Sequence, residues 1–470
     1  MFQIIRTTPA GQSTVLKLLR KHFDGYLPHT LVTTGRTFPV TSQVDVQVAL
    51  DEFFVRNSSA QRFGLHSPHH GGMQALGIAQ LLQHTPFPVD LGPLQYDEID
   101  VGEVLPTRCV RQALWLSNVD RLPFAVLIGR GLGGMGFGIQ VEIATPAGDA
   151  GLRFSERFFD NLEKDISKGR TYRGKVISLE GGVDYTGRTG GVKVHRLHRV
   201  RREDVILPEK TLALLDSNLA DFIGVRRGIR DMGLSAKKEL LFYGPPGTGK
   251  THMLHYLASE LPDHTTLLVT AEQVFLLEHY FKLARFLQPA IIVVEDVDLI
   301  ARERTHLRGP GEEMLLNKLL NEMDGLREDA EVIFILTTNR PDQLEPALAS
   351  RPGRIDQAIE FPLPDDRGRA KLARLYGRGL QLNDGVVEAI AVKTKGVSAA
   401  FIKELMRRSA QFLLQAGKDT VLTLGAVDAA LEEMVFLGGS LNLKLLGSSE
   451  ATIGEYHRRA IGGNVNVALS

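Results

Sequence analysis

The segment Leu241-Phe-Tyr-Gly-Pro-Pro-Gly-Thr-Gly-Lys-Thr251 follows, from Gly244 onward, the pattern G-x-x-x-x-G-K-[ST]. Glycines at those positions let backbone N–H groups curl around phosphate oxygens. The helix that follows points its positive dipole end at the same place, and Lys250 reaches the β- and γ-phosphates. The Thr251 hydroxyl is then placed to ligate Mg²⁺. The flanks agree with this: Glu239–Tyr243 is an apolar strand, and Met253, Leu254, Leu257 and Leu261 follow at helical spacing. Strand, glycine loop and helix in that order predict a nucleotide cradle of Gly244, Pro245, Pro246, Gly247, Thr248, Gly249, Lys250, Thr251 and His252.

Downstream of the loop the pattern is regular. Thr266–Thr270, Ile291–Val294, Val332–Thr337 and Gln357–Phe361 are short apolar strands separated by helix-period segments. That alternation predicts a five-stranded parallel sheet with helices on both faces. The third of these strands, counting the one before the loop, runs Ile291-Ile-Val-Val-Glu-Asp-Val-Asp298. An apolar strand ending in acids is where an ATPase keeps its Mg²⁺ and water-activating carboxylates. After Pro364 only helical patterns follow, at Arg367–Tyr376, Gly385–Ala391, Ala399–Gln415 and Gly425–Val435. These predict a helical lid over 364–437, with the α/β subdomain at 203–363 and a Gly/Ser/Asn-containing tail at 438–470.

Residues 1–200 read as a separate α+β region. Gln12–Phe23 and Ala75–Gln83 have helix-spaced apolar residues, while Cys109–Trp115, Pro123–Ile128, Phe137–Ile143 and Lys175–Leu179 read as strands. The run Gly129-Arg-Gly-Leu-Gly-Gly-Met-Gly-Phe-Gly138 contains G-x-G-x-x-G, but a strand follows it where a dinucleotide fold needs a helix. A glycine hairpin is the better reading. His66, His69 and His70 have no carboxylate or cysteine at metal-ligand spacing and read as a surface loop. The Arg-rich stretch from His195 to Arg202 has no interleaved aromatics, which favours a solvated domain junction over a nucleic-acid contact.

The 470 residues are 43% hydrophobic and 23% charged, an ordinary globular balance, and the 55 Lys and Arg equal the 55 Asp and Glu. Net charge therefore argues for no polyanionic partner. One cysteine, Cys109, excludes an internal disulfide and a cysteine-built zinc site. With no long apolar run and no leader-like N-terminus, the expectation is a soluble, cytoplasmic chain without a membrane segment.

Beyond the phosphate loop, further pieces stand in a recognisable order: Leu319-Leu-Asn-Glu-Met-Asp-Gly-Leu326, Thr337-Thr-Asn-Arg340 and Ser350-Arg-Pro-Gly-Arg-Ile-Asp356. With GPPGTGKT and the acidic strand end, they make residues 203–437 resemble the AAA+ ATPases, in the branch that includes the hexameric protein unfoldases. The resemblance implies ATP and Mg²⁺, a homo-oligomer (a hexamer), and a protein substrate that the sequence does not name. It implies that Glu295 holds the Mg²⁺ shell through water and Asp296 orients the attacking water. Asn339 would be the polar sensor, and Arg351 and Arg354 would be arginine fingers reaching a neighbouring subunit's site. Residues 1–200 would then be the substrate or partner domain.

Three departures bear on function. The family usually has Asp then Glu where this chain has Glu295 then Asp296, an order shared with the mitochondrial AAA protein that translocates a Rieske subunit. Displacing a catalytic group by about 1 Å can cost ~10²-fold, so slow hydrolysis is expected. No glycine lies between His252 and Arg308, so the aromatic–apolar–Gly threading loop is missing. Ala271–Gln288 reads instead as one continuous helix, with Tyr280 and Phe281 packed on the sheet. Arg304–Gly311 reads as a solvated loop. Ala399 replaces the usual glycine in the turn that contacts adenine. A ring ATPase that remodels or translocates a protein is the first reading. An ATP-dependent assembly switch or scaffold is the alternative, and nucleic-acid remodelling rests on the Arg-rich stretch alone.

Overall fold

The structure is a computed structural model. It describes residues 13–437 apart from 57–59, 67–75, 84–88, 134–135, 170, 181–190, 299–318, 326–329, 343–353 and 418–419. The chain forms two compact units, one of residues 1–173 and 179–194, the other of residues 174–178 and 195–470.

The first unit opens with α1 (Thr14–His22), which the Ser13 hydroxyl caps by accepting from the Leu16 amide. Its buried Val15, Leu16 and Leu19 make an apolar stripe, and Arg20, Lys21 and His22 sit at its negative dipole end. The strands are β1 (Leu31–Pro39), β2 (Gln61–His66), β3 (Asp90–Gly92), β4 (Tyr96–Ile99), β5 (Thr107–Val110), β6 (Ala113–Val119), β7 (Leu122–Gly133) and β8 (Gly136–Pro146). Six of them form one antiparallel sheet in the order β1-β8-β7-β6-β2-β3, and β4 pairs with β5. Helices α2 (Gln43–Val55) and α4 (Asp149–Ser167) pack on each other, and α3 (Ile78–Leu81) is a single turn. Phe54 of α2 stacks on Trp115 of β6 with ring planes 2° apart.

Several expectations change here. The strand read over Cys109–Trp115 is two strands, β5 and β6, separated by a bend at residues 111–112. The helix read over Ala75–Gln83 narrows to α3. The glycine run is the β7–β8 hairpin, with Gly131 opposite Gly138 and Gly133 opposite Gly136. Strand β9 (Val176–Leu179), whose residues 176–178 belong to the second unit, runs parallel to that unit's strand at 265–269, with Val176 opposite Thr266. His66 lies on β2, whereas His69 and His70 fall outside the described residues.

Strand β10 (Val192–Val194) falls among the first unit's residues, and in the second unit α5 (Glu209–Asp216) and α6 (Phe222–Asp231) precede β11 (Lys238–Tyr243). Then come α7 (Lys250–Glu260), β12 (Thr265–Val269), α8 (Leu277–Phe286), β13 (Ala290–Val294), β14 (Val332–Thr338) and β15 (Gln357–Glu360). Each of β12, β13, β14, β11 and β15 is parallel to its neighbour in that order. The sheet is larger than the five strands expected, since β9 adds to it beside β12. Every residue of β13 and of β14 is buried, because helices cover both faces of a parallel sheet and leave no polar side. Met253, Leu254 and Leu257 of α7 are buried against this core as their spacing predicts.

The expected helix at Ala271–Gln288 begins as a 3₁₀ stretch, Ala271–Leu276, and becomes α-helical only in α8. Tyr280 and Phe281 are fully buried, and Phe281 stacks on Phe334 of β14. Four helices follow: α9 (Asp366–Tyr376), α10 (Asp384–Lys393), α11 (Ala399–Gln415) and α12 (Leu424–Glu432). They bury a core of their own around Phe401, Ile402, Leu405 and Met406. Among the described residues no helix is long and apolar enough to cross a membrane.

Candidate functional site

The phosphate loop leaves β11 at Tyr243 and becomes α7 at Lys250. Between them Gly247 has φ 76° and Gly249, the N-cap, has φ 104°, conformations that side chains strain to adopt. At Gly247 an added Cβ would also lie 2.8 Å from Ala400 Cβ and 2.9 Å from Ser398 Oγ, whereas at Gly249 it would meet nothing within 4 Å. The Ala400 amide donates to the Gly247 carbonyl at 3.1 Å, joining the loop to the start of α11. Thr248 Oγ1 donates to the Pro245 carbonyl at 2.9 Å.

Lys250 is buried, and its Nζ donates to the carbonyls of Gly244 at 2.7 Å and Pro245 at 3.0 Å. Burial pushes its pKa down to about 8, although the charges of Asp296 and Asp298 oppose the shift. The cation thus curls over its own loop, within reach of whatever anion that loop takes.

The acids arrive from the C-terminal end of β13 and Asn339 from that of β14, the strand between β13 and β11 in the sheet. Thr251 Oγ1 donates to Glu295 Oε1 at 3.1 Å. Asn339 Nδ2 donates to Asp296 Oδ1 at 2.8 Å, and the Asp296 amide donates to Thr337 Oγ1 at 3.0 Å. Asp296 has φ 47°, in the left-handed region where Asp is several-fold enriched among non-glycine residues. That accounts locally for an aspartate at the second acid position. Burial raises the pKa of Glu295, the Thr251 bond opposes it, and the Asp296 charge adds to it. Burial and the Asp298 charge raise that of Asp296 against Lys250 and Asn339.

The sequence reading passed over Asp298, Thr337 and Thr338. Asp298 is 3% exposed, and its Oδ1 accepts from Thr338 Oγ1 at 2.7 Å and from the Asn339 amide at 3.2 Å. The signal was present: a third acid two residues beyond Asp296, and two threonines beside Asn339 to meet it.

Other expected residues lie elsewhere. His252 turns its Nε2 to the Asp204 carbonyl at 3.2 Å, so its ring faces the segment before α5. Arg354 pairs with Asp324 at 2.6 Å and contacts Asn321 Oδ1 at 3.4 Å, both within its own chain. Arg351 and the segment Arg304–Gly311 lie outside the described residues. Ala399 lines an apolar cleft beside Thr248, together with Ile206, Leu207, Pro208, Pro362 and Leu372.

Among the described residues no three His, Cys, Asp or Glu side chains gather into a metal cage. Magnesium needs none, since it keeps several waters and takes one or two protein oxygens beside substrate phosphates. The adjacent oxygens of Thr251 and Glu295 fit that donor set. When bound, the ion supplies charge neutralisation at the β- and γ-phosphate oxygens.

A glycine loop at the start of α7, acids at the end of β13 and a polar residue at the end of β14 define a P-loop nucleotide site. Residues 240–363 match the family described as "ATPase family associated with various cellular activities (AAA)". The chain thus carries an AAA+ ATPase domain. It is 32% identical over 271 residues to "ATP-dependent zinc metalloprotease FtsH 4" of Sphaerobacter thermophilus, covering 55% of this chain and 40% of the relative. To "ATP-dependent zinc metalloprotease FtsH" of Thermus thermophilus it is 28% identical over 341 residues, covering 69% and 53%. To "Proteasome-activating nucleotidase" of Pyrococcus horikoshii it is 36% identical over 215 residues, covering 43% and 54%. The chain spans about half the length of the curated relatives it matches. The likeness to the Rieske-subunit translocase rests on the order Glu295–Asp296 alone.

Proposed function

We propose that the protein binds Mg²⁺–ATP in the Gly244–His252 loop and hydrolyses it, working as a ring oligomer that remodels or translocates a protein partner. The observation that carries this is the convergence at one loop of the Thr251–Glu295 pair and the Asp296–Asn339 pair. Lys250 would leave the Gly244 and Pro245 carbonyls for the β- and γ-phosphates. Thr251 and Glu295 would hold Mg²⁺, the latter through water. Asp296 would accept the proton of the attacking water, and Asn339 would keep that carboxylate aimed. The apolar cleft at Ile206, Pro362 and Ala399 suits the adenine base, with α9 to α12 as a lid over it. Residues 1–200 would select the partner. Arg351 and Arg354 would complete a neighbouring subunit's site, in a hexamer like those of the unfoldase branch.

The relatives' names, an ATP-dependent protease and a proteasome-activating nucleotidase, support a protein as the object of the work. The test is Mg²⁺-dependent phosphate release by wild type and by Asp296→Asn, which keeps a residue that tolerates positive φ. We expect slow wild-type turnover, a drop of at least about 100-fold in the variant, and retained ATP binding. A second reading, an ATP-dependent assembly switch, draws on Arg354, which is held by Asp324, and on the order Glu295–Asp296 in the sequence. A wild type that binds ATP and changes its assembly without releasing phosphate would install the switch instead.

A further inference from the structure

We infer that Asp298 is a positioning residue for hydrolysis, holding Asn339 where it can orient Asp296. This rests on the ATPase reading of the preceding section. Asp298 follows the two site acids and turns inward; with 3% exposure it is a carboxylate taken almost wholly out of water. A buried carboxylate is costly unless its bonds repay the desolvation. The bonds it makes all go to one place, the turn at the end of β14. Its Oδ1 accepts from Thr338 Oγ1 and from the Asn339 backbone amide. The Thr338 hydroxyl, having donated its proton to Asp298, accepts from the Arg340 amide at 2.9 Å. Three consecutive residues are thereby pinned to a single carboxylate oxygen.

What that turn carries is the Asn339 side chain, whose amide is 2.8 Å from Asp296 Oδ1. Asp296 is held from a second side by Thr337 Oγ1 on its own amide. Asp298 and Asp296 are thus coupled through Asn339, the first gripping its backbone and the second its side chain. A carboxylate that orients an attacking water must be placed to well under 1 Å, because misplacement of that size can cost ~10²-fold. Without Asp298 the Asn339 amide and the Thr338 hydroxyl lose their acceptor, and the end of β14 is free to swing away from Asp296. Among the described residues both hydrogen bonds of Asp298 go to the end of β14 and none to the phosphate loop, where only its charge reaches Lys250, so its loss belongs mainly in kcat and little in nucleotide affinity.

The experiment is a double-mutant cycle on the full chain, with kcat from phosphate release and Kd from a fluorescent ATP analogue. Asp298→Ala and Thr338→Val should each lower kcat by about 10- to 100-fold and leave Kd within about threefold. Asp298→Asn keeps Oδ1, the atom that makes both bonds, and should recover kcat to within about threefold of wild type. Asp298→Ala combined with Asn339→Ala should lose no more than Asn339→Ala alone, since both break one linkage. Losses that multiply in the double variant, an Asp298→Asn as impaired as Asp298→Ala, or a shift in Kd at unchanged kcat would each overturn the role. Should Asp298→Ala not fold, Thr338→Val and Asp298→Asn carry the same cycle. A wild type with no turnover would remove the ATPase reading and this role together. Active wild type with multiplying losses would remove only the role of Asp298.

Discussion

Lys250 shows what the site demands of a single residue. A nearly buried ammonium whose nearest partners are two backbone carbonyls is an unfavourable arrangement for the empty protein, and its pKa falls from 10.5 to about 8. The unfolded chain therefore binds this proton more tightly than the folded one. The resulting cost to stability is complete below pH 8 and fades as pH rises toward 10.5, where the unfolded lysine also loses its charge. At 1.36 kcal/mol per unit the net cost, after the Asp296 and Asp298 charges have offset part of the burial, is roughly 3 kcal/mol. The two carbonyl bonds return about 1 kcal/mol each. Lys250→Met should then abolish ATP binding and leave the nucleotide-free protein about 1 kcal/mol more stable at pH 7. That advantage should shrink between pH 8 and 10.5, read by denaturant unfolding of both proteins at each pH. A variant less stable than wild type at pH 7 would mean that the carbonyl bonds outweigh the burial. Glu295 and Asp296 show the same tension with opposite sign: burial raises both acids, so each is held at a cost that Mg²⁺ and phosphate chemistry would justify.

At the scale of elements, the loop between β11 and α7 separates two demands on glycine. Gly247 needs both its positive φ and its missing side chain, because Ala400 and Ser398 close on it; Gly249 needs only the φ. Gly247→Ala should cost more than Gly249→Ala, by about 1–3 kcal/mol from overpacking against α11 on top of a similar backbone strain. The order of the two unfolding midpoints without nucleotide checks this, and equal midpoints would sink the packing argument. The same scale shows which parts were legible in the sequence. Strands β13 and β14 read clearly because a parallel strand covered on both faces is written as an unbroken apolar run. Helix α2 was missed because it buries Gln43, Asp45 and Gln47 along with Val44 and Val46, so no polar face marks a 3.6-residue period. Helix α4 was missed despite a readable stripe, Phe158, Phe159, Leu162 and Ile166. In the site, the loop spacing singled out Lys250 and Thr251, and the resemblance singled out Glu295, Asp296 and Asn339; the structure puts Thr251 on Glu295 and Asn339 on Asp296. Asp298 was not singled out, since its hydrogen bonds link two strand ends that only the sheet order brings together.

For the whole molecule the open matter is whether one chain makes a complete site. Within the chain Arg354 is 18% exposed and committed to Asp324 at 2.6 Å. A guanidinium that is to stabilise the γ-phosphoryl charge must come from somewhere, and among the described residues no arginine enters the hydrogen bonds of Glu295, Asp296 and the Asn339 side chain. A finger supplied by a neighbour is worth ~10³–10⁵ in rate, so a lone subunit should hydrolyse ATP at a small fraction of the assembled rate. We therefore expect phosphate release per subunit to climb with protein concentration and then level off as assembly saturates. Arg351→Ala/Arg354→Ala should abolish the climb and leave ATP affinity within a few-fold, because neither arginine belongs to the loop that binds the nucleotide. Mixing excess double variant into wild type should then leave the total rate close to that of the wild type alone, since each intact arginine pair still completes one site, now on a variant subunit. A rate per subunit that is flat across concentration, with the double variant equal to wild type, would place the whole catalytic set in one chain and leave Arg354 as a structural partner of Asp324.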